Sequence, residues 1–86
     1  MPKVCEFFGI SIYFYYNDHA PPHFHARYAG DDAVFDIETL ELLEGQPSPR
    51  VRGLVIEWAA MRQDELRRAW QQARDAQPLD PIEPLD

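Results

Sequence analysis

The chain has 86 residues, of which 45% are hydrophobic, 13% aromatic and 27% charged, and its formal charge is −7 at neutral pH. That length and composition exclude two ordinary domains and a wholly disordered chain, and the acidic balance opposes non-specific attraction to phosphate backbones. The lone cysteine, Cys5, excludes an internal disulfide, and the apolar stretches fall well short of the ~20 residues that a membrane helix needs. With no basic segment leading into an apolar leader, a reducing cytoplasm is the expected setting.

From Phe7 to Tyr16 the run FFGISIYFYY is rich in aromatic and β-branched residues and ends in the turn-forming pair Asn17-Asp18, which predicts one strand. Its even positions Ile10, Ile12 and Phe14 are apolar, whereas Ser11, Tyr13 and Tyr15 carry hydroxyls, so the strand has an inner and an outer face. Pro21-Pro22 makes a stiff connector, because neither ring can donate to a ladder. A second strand is expected from His23 to Tyr28, a hairpin loop at Gly30-Asp31-Asp32 and a third strand from Ala33 to Glu38. Glu38-Thr39-Leu40-Glu41 reads as a tight turn into a short strand near Leu42 and Leu43, ended by Gly45.

Ser48-Pro49 is a helix start, a serine able to cap exposed amides before a proline whose missing N–H costs nothing in the first turn. Val51, Leu54, Val55, Trp58 and Ala59 then form one apolar stripe. Asp64 is suited to cap a second helix with Leu66, Ala69, Trp70 and Ala73 as its stripe, one bent helix being the alternative. The expected fold class is α+β: an antiparallel meander of three or four strands, then two helices packed on one face, within a single domain over residues 1–76. In residues 77–86 prolines at 78, 81 and 84, apolar Leu79, Ile82 and Leu85, and acidic Asp80, Glu83 and Asp86 each recur every three residues, the period of polyproline II. The apolar edge of this acidic tail is expected to lie on the domain or on a partner.

Alternation predicts that Phe24, Ala26 and Tyr28 face inward with Phe35 and Ile37, sending His23, His25, Arg27, Val34, Asp36 and Glu38 outward beside Tyr13 and Tyr15. Three chemistries fit such a face. His23 and His25, at i and i+2 on a strand, can share a divalent transition metal, with His19 or Asp18 folding back from the loop as third ligand and Asp36 as a further candidate. A carboxylate such as Asp36 or Glu38 would fix the imidazole tautomers. Without metal, His23 and His25 with Arg27 and Tyr13 are candidates for proton transfer and stabilisation of a phosphoryl group, although no motif marks Ser11, Ser48 or Cys5 as a nucleophile. The third reading is recognition, since tyrosine and arginine are enriched in protein interfaces; Tyr15 on this face and Leu79, Ile82 and Leu85 on the tail are the candidate contacts. Arg50, Arg52, Arg62, Arg67 and Arg68 fit the wet faces of helices, and a nucleic-acid role would require them to form a local patch against the net charge. Trp58 and Trp70 fit the core, and Cys5 a buried, unreactive thiol.

The stretch FFGISIYFYYNDHAPPHFHARYAG, the DIET segment at Asp36 to Thr39, LLEG at Leu42 to Gly45, the helix containing LVIEWA and the closing PLDPIEPLD resemble a bacterial family of unknown function, the domain of unknown function family 4160, over nearly the whole chain. The most specific part is Asn17-Asp18-His19 followed by Pro21-Pro22-His23-Phe24-His25; Arg62 departs from the pattern, standing where many relatives have a histidine. The resemblance implies a small protein often encoded beside another small protein, similar to toxin–antitoxin operons, and brings no settled activity. The leading expectation is therefore a component that binds a small protein from the same operon. The alternative is a His-dependent or metal-assisted hydrolase or ribonuclease using His19, His23 and His25.

Overall fold

Phe8 and Gly9 take positive φ, 49° and 80°, and fold what reads as one long strand into a hairpin with a two-residue loop. The computed structural model, which describes residues 2–86, accordingly has five strands rather than three or four. These are β1 (Lys3–Phe7), β2 (Ile10–Tyr13), β3 (His23–Tyr28), β4 (Asp31–Asp36) and β5 (Leu42–Glu44), followed by α1 (Pro49–Met61) and α2 (Gln63–Arg74). The strands form one antiparallel sheet in the order β1-β2-β3-β4-β5, an α+β meander followed by two helices.

The β3–β4 loop lies one position earlier than expected. Ala29 and Gly30 both take left-handed φ, 52° and 87°, so Asp31 and Asp32 join the strand and Arg27 pairs with Asp32. β4 ends at Asp36, whose carboxylate accepts the backbone N–H groups of Glu38 and Thr39 at 2.7 and 3.0 Å and turns the chain back toward β5. Gly45 ends β5 at φ 95°, and a side chain there would collide with the Asp32 carbonyl oxygen, so the position requires glycine.

Ser48 caps α1 as expected, its Oγ accepting the Val51 N–H at 3.2 Å ahead of Pro49. The two helices are separate, and the break falls at Arg62 (φ −126°); Asp64 is not the cap but sits in the first turn of α2, where its charge suits the helix dipole. Val51, Val55, Trp58 and Ala59 of α1 and Leu66, Ala69, Trp70 and Ala73 of α2 are buried with Ile10, Ile12, Phe14, Phe24, Phe35 and Ile37 of the chain's first half. Trp58 anchors this core, its ring 5.3 Å from Phe7 and 5.9 Å from Phe24, while Phe24 stacks on Phe35 at 5.6 Å.

Residues 77–86 are held to this core by two hydrogen bonds to the tail's backbone. The Ile82 N–H donates to the Val4 carbonyl at 2.8 Å, and the Trp58 indole N–H donates to the Glu83 carbonyl at 2.7 Å. Ile82 is 5% exposed, and Leu79 and Leu85 pack beside it. Among the described residues no helix is long and apolar enough to cross a membrane.

Candidate metal centre

The two-residue period of β3 sends His23 and His25 to the same side, and the Asn17–Pro22 loop returns Asp18 over them. Asp18 Oδ2 lies 2.8 Å from His23 Nε2 and 3.3 Å from His25 Nε2, and the three ligand atoms lie within 4.8 Å of one another. His23 Nδ1 lies 2.6 Å from the Pro21 carbonyl oxygen. A carbonyl only accepts, so Nδ1 carries the hydrogen there and the neutral ring has its lone pair at Nε2, facing a carboxylate that also only accepts. The contact requires a proton or another cation between them. An imidazole that ligates through one nitrogen commonly donates the other N–H to a backbone carbonyl, as His23 does to Pro21.

Burial would raise the Asp18 carboxyl, but the hydrogen bonds with His23 and His25 and from the His19 backbone N–H outweigh it and hold the group below the usual carboxylate range. Burial lowers the His25 imidazole against the raising effect of the Asp18 hydrogen bond, which favours the neutral ring. The rings are fixed by aromatic neighbours: Tyr15 meets His25 edge-on at 4.3 Å, Tyr13 lies parallel to it at 6.4 Å, and Trp70 covers His23 at 5.0 Å. Beside the trio opens a cleft of about 480 Å³, walled by Tyr15, His19, Pro21, Val34, Leu43 and Glu44.

Not all the residues expected on this face join it. His23, expected opposite the helices, is only 5% exposed because it opens β3 at the end of a twisted sheet, where the α2 indole reaches it. Asp36 is absent from the trio; its Oδ1 is engaged by the Glu38 and Thr39 amides, and the carboxylate grouped with the two histidines is Asp18. Glu38, beyond the end of β4, forms a two-point contact with Arg67 of α2 at 2.7 and 2.9 Å instead of supporting a histidine. His19 borders the cleft, its ring 6.0 Å from that of His23, but lies outside the trio.

Arg27 and Tyr13 converge on Asp32, not on the two histidines. Arg27 binds both Asp32 oxygens at 2.9 and 3.0 Å, and the Tyr13 hydroxyl donates to Oδ1 at 3.2 Å. The hydrogen bonds and charge of Arg27 hold the Asp32 carboxyl low, while burial and Asp32 push the Tyr13 phenol up. Asp32 joins the outer face because the loop falls on Ala29-Gly30 rather than on Gly30-Asp31-Asp32, which pairs it with Arg27. Val34 stands on the outer face as alternation predicts, opposite His25, whereas Leu43 and Glu44 reach the cleft through an irregular register between β4 and β5. Ile82, together with Leu79 and Leu85, packs on the chain's own core.

The comparisons with known proteins agree with the motif. No curated protein and no solved structure matches the chain. A family model matches residues 9–71, which contain Asp18, His23 and His25 and all of α1. The chain belongs to the family described as Domain of unknown function (DUF4160).

Proposed function

We propose that this chain is a divalent-metal-binding protein whose ligands are Asp18, His23 and His25. The observation that carries the reading is the convergence of His23 Nε2 and His25 Nε2 on one Asp18 carboxylate oxygen, with His23 Nδ1 turned to the Pro21 carbonyl. Two imidazoles and one carboxylate suit zinc and other first-row divalent ions. For bonds of about 2.0–2.1 Å, tetrahedral ligands stand about 3.3 Å apart. The 2.8 and 3.3 Å separations lie at or below that value, and with all three ligand atoms within 4.8 Å of one another the side chains would adjust to admit an ion.

Three protein ligands beside an open cleft make a site with a coordination position to spare, unlike closed four-ligand structural sites. An ion there would supply Lewis acidity to a bound oxygen. The chain's part is to hold the ligands, with the Pro21 carbonyl fixing the His23 tautomer and Tyr15 and Trp70 limiting ring rotation. Elemental analysis of untagged protein equilibrated with zinc and desalted tests this. One equivalent in the parent chain, lost in His23→Ala and His25→Ala variants that keep the parent circular dichroism, is the expected result; no retained metal in the parent overturns the reading.

A protein-binding role has its own supporting observation at the other end of the sheet. Phe8 is 51% exposed although it occupies a left-handed turn position that an aromatic residue fills at a cost, and exposed Tyr28 lies against Gly9 beside it. We read this aromatic pair as the contact for a small protein encoded alongside. Co-purification with the product of the adjacent gene, lost in Phe8→Asp/Tyr28→Asp, is expected; unchanged binding by that variant overturns it.

A further inference from the structure

The walls of the cleft specify what could approach such an ion. Beyond the trio they contain Tyr15, Pro21, Val34 and Leu43 as mainly apolar surface, His19 as an imidazole, Glu44 as an acid, and neither lysine nor arginine. The nearby cation on the same face, Arg27, is held in its two-point pair with Asp32 and does not line the cleft. Sites that hold phosphate groups present arginine, lysine, clustered backbone amides or a metal ion to the anion, commonly several together. An acidic chain of net charge −7 with a carboxylate at the cleft wall repels such a ligand.

The sheet also sets a length. His23 and His25 stand on β3, Val34 on β4 and Leu43 and Glu44 on β5, so the cleft crosses two strand spacings, about 10 Å. Leu43, 41% exposed, is the large apolar side chain at the far wall.

Resting on the metal reading above, we propose that the cleft binds an uncharged acyl compound, an amide or ester with an apolar chain or side chain. Its carbonyl end would lie at the Asp18–His23–His25 ion and its apolar portion across Val34 and Leu43. Apart from the ion itself and His19, the cleft offers a phosphodiester no lysine or arginine to receive its charge.

Cobalt(II)-loaded protein tests this, because its visible absorption reports ligands entering the metal's coordination sphere. The probes are acetohydroxamate, octanohydroxamate and inorganic phosphate. Octanohydroxamate is expected to bind at least about 20-fold more tightly than acetohydroxamate, since its added methylenes leave water against the cleft wall. Leu43→Ala should remove most of that difference, and phosphate should bind the cobalt more weakly than octanohydroxamate does. Equal affinity for the two hydroxamates, a chain-length effect that persists in Leu43→Ala, or phosphate binding tighter than octanohydroxamate would overturn the acyl assignment with the metal site intact. Failure to bind cobalt at all would overturn the metal reading, and this one with it.

Discussion

Asp18 and His23 meet at 2.8 Å across the Pro21-Pro22 connector, and the same connector supplies the carbonyl that fixes the other nitrogen of His23. One short segment thus delivers a ligand, a second ligand's tautomer and the turn that joins them. In the metal-free chain Asp18 and His23 are in direct contact, and in the proposed loaded chain an ion stands between them.

Asp18→Asn separates these two states. The amide can donate to the His23 lone pair, so the fold needs no positive charge there and thermal stability should be retained. Metal affinity should fall by on the order of 100-fold or more, beyond the 10–100-fold typical of losing a group that only supports a ligand. Chelator competition against zinc, with a thermal melt of the same sample, reads both; unchanged affinity would remove Asp18 from the ligand set.

Asp36 should behave in the opposite way. Asp36→Ala strips the Glu38 and Thr39 amides of their acceptor and should cost about 1–2 kcal/mol in urea denaturation, with zinc affinity unchanged. A loss of zinc binding without loss of stability would return Asp36 to the site.

The tail should contribute to the stability of the whole molecule. Ile82→Ala removes a buried side chain from the contact with the core and should cost about 2–4 kcal/mol. Ending the chain after Gln77 should cost more, because the Trp58 indole N–H and the Val4 carbonyl lose their partners too. Unfolding midpoints in urea measure both, and an unchanged midpoint for either would contradict the packing described.

Acid should weaken the fold in part through Asp32. Its carboxyl is lowered first by the Arg27 hydrogen bond, so its contribution is present above the ordinary value of 3.8 and is lost as pH falls through the lower folded value. Both partners are substantially exposed, so the effect is small and diminishes with salt. Asp32→Asn should lower stability at neutral pH and flatten its decline below about pH 4, read from urea midpoints across a pH series; parallel curves for the two proteins would contradict the assignment.

Cys5 should be slow to react. Burial pushes its thiol above the ordinary range, so little thiolate is present at pH 8 and that little is covered. Labelling by a thiol reagent should follow unfolding, and labelling as fast in the native protein as in urea would place Cys5 at the surface.

The legible parts of this fold are those in which local pattern and tertiary packing agree. The extent of β3, the inward set Ile10, Ile12, Phe14, Phe24, Phe35 and Ile37, the Ser48 cap and both helical stripes follow from periodicity that the core enforces. The β1–β2 hairpin was hidden because Phe8 is an improbable occupant of a left-handed turn, and FFG inside an aromatic run reads as strand. At the site, alternation placed His23 and His25 together, but it could not choose among Asp18, His19 and Asp36. That choice depends on the path of a loop and on which carboxylate is already engaged by local amides. Trp70 over His23 and Leu43 beside the cleft arise from sheet twist and an irregular β4–β5 register, neither of which is written in a two-residue period.

The most direct test of the metal assignment is an anomalous diffraction map at the zinc edge from crystals grown with zinc. The account predicts one strong peak about 2.0–2.2 Å from an Asp18 carboxylate oxygen and from Nε2 of both His23 and His25. The His23 Nδ1–H should remain on the Pro21 carbonyl. A map with no peak at these three residues, and with Asp18 still in direct contact with His23, would contradict it.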